Sequence, residues 1–269
     1  MSDPLVPAGL LPAYLATAFG ELYEEDGIAI FGKGLGWLSL LACFVRFYAD
    51  VEDGHVAVVQ ENEEKAEPGS SGVSNSPKKQ LPLVLVLGLR DSEYTALSSM
   101  LQTWGTPAEM LPNLITNEAG QGEERLDLYR RGGVFCITSR ILIVDLLTNV
   151  ISSERIDGLL IAHAEQVTSD STVAFIVRIY TSQKKREEGF IKGFSDQADG
   201  LVSGFSKIDK TLKALQVRRF YLYPRFHDAI QRELEQNPPD VEEIHQELVS
   251  LHYHVASYRS LRFFAPCIT

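Results

Sequence analysis

The chain has 269 residues, of which 36 are acidic and 25 basic, so its formal net charge is −11. That balance argues against a simple nucleic-acid-binding domain, which carries a basic excess. A hydrophobic fraction of 45% against 23% charged excludes wholesale disorder, and the length suits one large domain or two small ones.

Three scattered cysteines, Cys43, Cys136 and Cys267, exclude a disulfide framework and a cysteine-built zinc site. They point to a reducing compartment. The N-terminus has no basic leader. The longest apolar stretch, Leu35 to Phe44, is about half of the roughly 20 residues that cross a bilayer.

In chain order, Ile28–Phe31 predicts a short buried strand and Leu35–Tyr48 a helix. Leu83–Leu87 (LVLVL) is a continuous apolar run, as in a strand covered on both faces. Ser92–Trp104 predicts a helix with Asp91 or Ser92 as N-cap. Val134–Thr138, Leu159–Ala162, Phe190–Phe194 and Arg219–Tyr223 are further strands. Between and after them fall helices at Arg140–Leu147, Thr172–Tyr180, Leu201–Leu215 and Phe226–Glu235, the last stopped by Pro238 and Pro239. This alternation predicts an α/β fold, a mostly parallel sheet with helices on both faces. Gln60–Gln80 has no large apolar residue except Val73. It is expected to be a disordered acidic, Ser/Gly-rich surface loop.

An α/β sheet directs attention to a phosphate loop. In Ile28–Leu41 (IAIFGKGLGWLSLL) an apolar strand, a glycine-rich turn and a helix follow in the right order. Gly32, Gly34 and Gly36 would let backbone N–H groups approach an anion. A working loop then needs a lysine and a Ser/Thr, which reach the β/γ-phosphates and Mg²⁺. Those positions hold Trp37 and Leu38, and Lys33 lies too early. The competing reading is a turn kept for packing, with Trp37 in the core. The strand that should end in the metal-binding Asp-Glu pair instead runs into Ala162, His163, Ala164 and Glu165. His163 reads as a strand-end histidine rather than a ligand. The scaffold of an ATPase is present without its two indispensable groups.

These residues, with three further stretches, resemble the N-terminal helicase-like part of the XPF family of structure-specific DNA repair endonucleases. That part is related to superfamily 2 helicases such as archaeal Hef. The first stretch is Gly132–Leu147 (GGVFCITSRILIVDLL), continuing through Ile156–Glu165 and Thr172–Tyr180. The others are Gly189–Lys207 (GFIKGFSDQADGLVSGFSK) and Val217–Phe226 (VRRFYLYPRF). The resemblance implies a single RecA-like lobe over residues 1–248. Its degenerate nucleotide loop is at Gly34–Leu38 and its degenerate acidic box at Ala162–Glu165, with Phe194-Ser195-Asp196 where a helicase couples its lobes.

It also implies a Mg-dependent nuclease in the whole family protein, acting in nucleotide excision and interstrand crosslink repair in the nucleus. A smaller nuclease-like partner subunit and a repair scaffold protein are expected partners; a membrane is not. The nuclease motif, the tandem helix-hairpin-helix and the second lobe do not occur in this sequence. No catalytic residue, metal site or cofactor is therefore expected in this chain. After Leu248 the family pattern gives way to Val249–Thr269 (VSLHYHVASYRSLRFFAPCIT). This divergent tail is expected to come from a retained intron, since Val249-Ser250 can be encoded by an intron-start sequence; the alternative is an amphipathic helix. His245, His252 and His254 do not make a convincing metal set on it.

Charge is uneven. From Arg178 to Arg225 there are 11 basic and five acidic residues, a net +6 that leaves −17 for the rest. Lys207, Lys210 and Lys213 share part of one helix face and could neutralise phosphates without reading sequence. A solvated helix face is the plain alternative. Arg218, Arg219 and Arg225 accompany Tyr221, Tyr223 and Phe226, aromatics that could stack on unpaired bases, although Tyr221 and Tyr223 fit a core-facing alternation. Arg140 matches the turn by which superfamily 2 helicases contact the DNA backbone. Salt-dependent, sequence-independent binding to branched or single-stranded DNA is the expectation. A pure protein-interaction module, a truncated product without independent function, and an ATPase with an unusual loop remain alternatives.

Overall fold

The structure is a computed structural model. It describes residues 11–49, 81–116, 122–183, 189–202, 207–236 and 242–243. The expected loop at 60–80 and the tail from 249, with His245, His252 and His254, lie outside the described residues. The chain divides into two compact units, Met1–Glu233 and Leu234–Thr269. The sheet lies wholly in the first.

The strands are β1 (Gly27–Phe31), β2 (Leu83–Leu87), β3 (Asn113–Ile115), β4 (Gly133–Ile137), β5 (Gly158–Ile161), β6 (Phe190–Ser195) and β7 (Arg219–Tyr223). The helices are α1 (Ala13–Glu24), α2 (Trp37–Ala49), α3 (Asp91–Thr103), α4 (Gly122–Arg131), α5 (Ser139–Leu147), α6 (Thr172–Gln183), α7 (Ala198–Val202), α8 (Lys207–Leu215) and α9 (Asp228–Gln236). All strand pairs are parallel, in the order β3-β4-β2-β5-β6-β1-β7.

Direction along that order decides which face each helix covers. The connections β1→β2 and β2→β3 run toward the β3 edge; the other four run toward β7. Parallel crossovers are right-handed, so α2 and α3 must lie on one face and α4 to α8 on the other. The two cores match. One joins Leu40, Phe44, Leu97 and Leu101 to Ala29, Phe31, Val84 and Val86. The other joins Tyr129, Leu142, Val177 and Leu215 to Ile28, Ile30, Leu83 and Leu85. Each inner strand therefore buries both sets of side chains, which explains its unbroken apolar run. Cys43 and Cys136 are buried free thiols, each pushed up to about 12 by burial.

Three elements have no counterpart in the sequence expectations: α1, β3 and α4. The expected helix Leu201–Leu215 is two helices, α7 and α8. The expected N-cap of α3, Asp91 or Ser92, is instead Arg90. Glu93, in the first turn, reaches back to accept the Arg90 N–H at 3.0 Å. A carboxylate in the first turn does the work of a capping side chain.

Two buried polar groups tie layers together. Lys192 in β6 is 2% exposed. Its Nζ donates to the Leu22 and Tyr23 carbonyls near the end of α1, stands 3.6 Å from Asp26, and lies over the Phe44 and Phe190 rings. A cation there complements the negative end of the helix. Burial pulls its pKa down, and Asp26 opposes that pull. Counted as basic from sequence, it is closed to phosphate.

Asp145 on α5, fully buried, accepts from Arg125 Nε at 3.0 Å and NH2 at 2.7 Å, and from the Tyr129 hydroxyl at 2.7 Å. This bidentate pair locks α4 to α5. Asp145→Ala is expected to lower stability by about 3 kcal/mol by stranding the guanidinium. Arg125→Met and Tyr129→Phe combined with Asp145→Leu, which leaves no polar group stranded, should recover most of the loss. Denaturant unfolding of the three proteins checks this.

Candidate nucleotide site and nucleic-acid interface

Parallel sheets place their ligand crevice at the carboxyl ends of the strands. Here that edge brings together the turn after β1, the start of α3 after β2, the turn after β5 and the end of β6. The turn after β1 has Gly34 and Gly36 at φ +81°, a backbone shape natural to glycine. Its carbonyls are already taken by protein donors. The Tyr14 hydroxyl donates to Leu35 O at 2.9 Å, and Arg225 NH2 donates to Lys33 O at 2.7 Å. Leu35 and Trp37 are buried in the core, and Leu38 packs against it.

Trp37, expected at the lysine position, faces inward. Its ring meets His163 edge-on, with centroids 5.1 Å apart. His163 follows the β5 strand directly after Ala162, in the left-handed conformation at φ 53°. Ala164 and Glu165 begin the short turn that follows. The two stretches expected to be a degenerate nucleotide loop and a degenerate acidic box therefore meet through an aromatic contact.

His163 is held between two carboxylates. Its Nε2 stands 2.9 Å and 3.0 Å from the oxygens of Glu93, and its Nδ1 3.5 Å from Glu165. Its pKa is raised, by Glu165 first and by Glu93, against the opposing pull of burial. The Glu165 pKa is lowered: burial pushes it up, but hydrogen bonds from His163 and Ser195 outweigh that push. Ser195 ends β6, so this cluster spans β2, β5 and β6. Arg90 NH1 stands 3.4 Å from Glu93, so Arg90 and His163 match the two carboxylates of this cluster from within the protein. Among the described residues no set of three or more His, Cys, Asp and Glu side chains gathers as a metal site.

Sequence reasoning missed Glu93 and Tyr14 as members of this site, and named Ser195 only within the stretch Phe194-Ser195-Asp196 expected to couple lobes. Glu93 carried the one available signal, an acidic residue in the first turn of a helix that follows a buried strand.

The expected DNA-contacting residues fall into separate places. Arg140 is exposed at the start of α5, at the carboxyl edge of the sheet. Lys210 and Lys213 are exposed on α8 and Lys207 is half-buried. Arg218 and Arg219 lie at the amino end of β7, where Arg219 pairs with Glu25. Arg225 lies past the other end of β7, more than about 13 Å along the strand from Arg219. Tyr223 is buried and Tyr221 packs against the core, whereas Phe226 is exposed. The positive stretch of sequence is not one patch in space.

The sign of the pH dependence follows from the two shifts. His163 is raised, so its stabilising contribution is complete below its unfolded value near 6.5 and fades as pH rises through the folded value. Glu165 is lowered, so its contribution is present above its unfolded value near 4.5 and is lost as pH falls through the folded one. The stability gap between the parent and His163→Gln is expected to be largest near pH 5–6.5 and to shrink above pH 7. Thermal melts across pH 5 to 9 measure it.

No family model matches the chain. Curated relatives do. It is 32% identical over 238 residues to the DNA repair protein rad16 of Schizosaccharomyces pombe, covering 88% of this chain and 23% of that one. It is 35% identical over 225 residues to the DNA repair endonuclease XPF of Mus musculus, covering 84% and 21%. It is 32% identical over 218 residues to the DNA repair protein RAD1 of Saccharomyces cerevisiae, covering 80% and 19%. The chain spans about a fifth of the length of these relatives. Among solved structures, the Hef helicase domain of Pyrococcus furiosus superposes with a TM-score of 0.61 at 17% identity, over 82% of this chain and 39% of that one. That likeness establishes the fold as a RecA-like helicase lobe. With the relatives, it identifies most of this chain as an XPF-family helicase-like region.

Proposed function

We propose that this chain is a non-hydrolysing helicase-like lobe that serves DNA repair by engaging branched or single-stranded DNA and by docking protein partners. The observation that carries the first part is the Trp37–His163 contact, which joins the lysine position of one motif to the carboxylate position of the other. Burial of Leu35 and Trp37 in the core supports it. On this reading the nuclease chemistry, its Mg²⁺, the smaller nuclease-like subunit and the scaffold contact of the whole protein belong largely to segments beyond this lobe. The place of action is the nucleus.

DNA contact rests on α8 and Arg140. Lys207, Lys210 and Lys213 follow one another at three-residue steps, and phosphate contacts of this kind add affinity without sequence preference. A second reading, a protein-interaction module without DNA contact, is favoured by what the fold does to the other cations. Lys192 is buried, Arg219 is paired with Glu25, and Arg225 is spent on the Lys33 carbonyl.

Two measurements separate these readings. Trp37 fluorescence is expected to stay unchanged on adding ATP and Mg²⁺ at millimolar concentration. A saturable change with phosphate release would restore the ATPase reading. Labelled junction DNA at low salt is expected to bind the chain, with Lys207→Glu, Lys210→Glu and Lys213→Glu together weakening binding about tenfold or more and flattening the salt slope. Absence of binding at low salt leaves the interaction module as the standing reading.

A further inference from the structure

The turn after β5 has two sides, and each makes a different kind of contact. On the crevice side stands His163, with its Nε2 at 2.9 Å and 3.0 Å from the two oxygens of Glu93. On the other side the same turn seats α7 and α8. Buried Thr211 on α8 donates its hydroxyl to the Val167 carbonyl at 3.4 Å. Ala164 shares one buried core with Leu201 on α7 and with Ala214 and Leu215 on α8.

Glu165 joins the two sides. One of its oxygens stands 3.5 Å from His163 Nδ1, and its carboxylate also accepts from the Ser195 hydroxyl. Ser195 Oγ in turn accepts the Gln197 N–H at 3.2 Å, and the Gln197 carbonyl accepts the Gly200 N–H at 3.0 Å. Gly200, on α7, lies against Glu165 itself: a Cβ there would meet Glu165 Cγ at 3.3 Å. A continuous path of contacts therefore runs from the imidazole through a carboxylate to α7, and α7 packs on α8.

The proton on His163 decides the sign of one link in that path. Its Nε2–H is committed to Glu93, so the proton that leaves first is the one on Nδ1. With that proton, Nδ1 and Glu165 attract. Without it, a ring lone pair faces a carboxylate. His163 is 6% exposed and Glu165 5%, and low local dielectric strengthens such a repulsion. The surrounding groups are few. α3 offers Glu93 and Arg90, which pair with each other. α2 meets the imidazole through the Trp37 ring, and the Gln166 amide lies 3.4 Å from Glu165. Asp196 after β6 is half-buried, and Asp199 on α7 and Asp209 on α8 are exposed.

We propose that proton uptake at His163 sets how firmly α7 and α8 are seated, acting through Glu165 and the turn after β5. The His163 pKa is raised from 6.5. Seating is therefore complete below that value and weakens as pH rises through the folded one. Linkage is reciprocal, so anything that fixes α8 raises the proton affinity of His163. The regulated element is the helix on which exposed Lys210 and Lys213 stand. The inference goes beyond the function proposed above and is read without DNA, so failure of DNA binding leaves it standing.

The test follows the His163 ring signals of the full chain by NMR from about pH 6 to 9, with backbone amide exchange of α5, α7 and α8 measured over the same range. After correction for intrinsic exchange, protection of the Thr211 and Leu215 amides is expected to fall about threefold or more as the ring loses its proton, with the same midpoint and more steeply than on α5. Glu165→Gln keeps the bulk against Gly200 without the charge and is expected to remove the dependence, as is His163→Gln. Glu93→Gln should move the ring midpoint and the α8 midpoint down together. Thermal melts confirm that each variant folds, and the comparison within the parent decides the matter without them.

Constant α8 protection through the ring titration overturns the proposal. So does an equal fall on α5, which would report global stability alone. A dependence that survives Glu165→Gln, or a Glu93→Gln ring midpoint that moves without α8, overturns it as well.

Discussion

Handedness is the constraint on which this lobe depends. A right-handed crossover between parallel strands fixes the face of each connecting helix, and the strand order then distributes two connections to one side and four to the other. Both faces of the sheet are thereby covered, and the carboxyl edge becomes the place where polar side chains can gather. Everything of chemical interest sits there because the topology leaves the turns after β1, β2, β5 and β6 side by side.

At that edge the molecule has exchanged one kind of order for another. A nucleotide motor organises its crevice around an external anion and a metal. Here the same positions are organised by internal contacts: an indole against an imidazole, an imidazole between two carboxylates, a tyrosine and an arginine on the loop carbonyls. With an imidazole and two carboxylates among these contacts, the stability of the edge answers to pH.

The buried strands were legible because their apolar runs have no polar interruption: Leu83–Leu87 and Leu159–Ile161 could hardly be anything else. Lys192 shows the limit of that signal. It interrupts β6 with a charge, and only the position of the end of α1 explains why a lysine fits. β3 was illegible because two of its three residues are exposed, so it lacks a buried run. α4 was illegible because it is short and highly charged, and its anchoring depends on Asp145 twenty residues away. Of the site, the two degenerate motifs were readable from spacing. Their contact with each other, and the part of Glu93, were not, because these depend on which strands are neighbours. The positive stretch was readable as composition and misleading as geometry, since β7 carries its arginines to opposite ends of the sheet.

The aromatic closure of the crevice has a historical consequence. Replacing Trp37 with lysine would not recreate a phosphate loop. The new ammonium would enter an apolar core beside His163, with Tyr14 and Arg225 still holding the loop carbonyls and Ala162 still lacking a carboxylate. Replacing Trp37 alone is therefore expected to lower stability. Packing of this kind behaves as a latch: once the ring contact is in place, any single substitution that opens the crevice must first break the core around it.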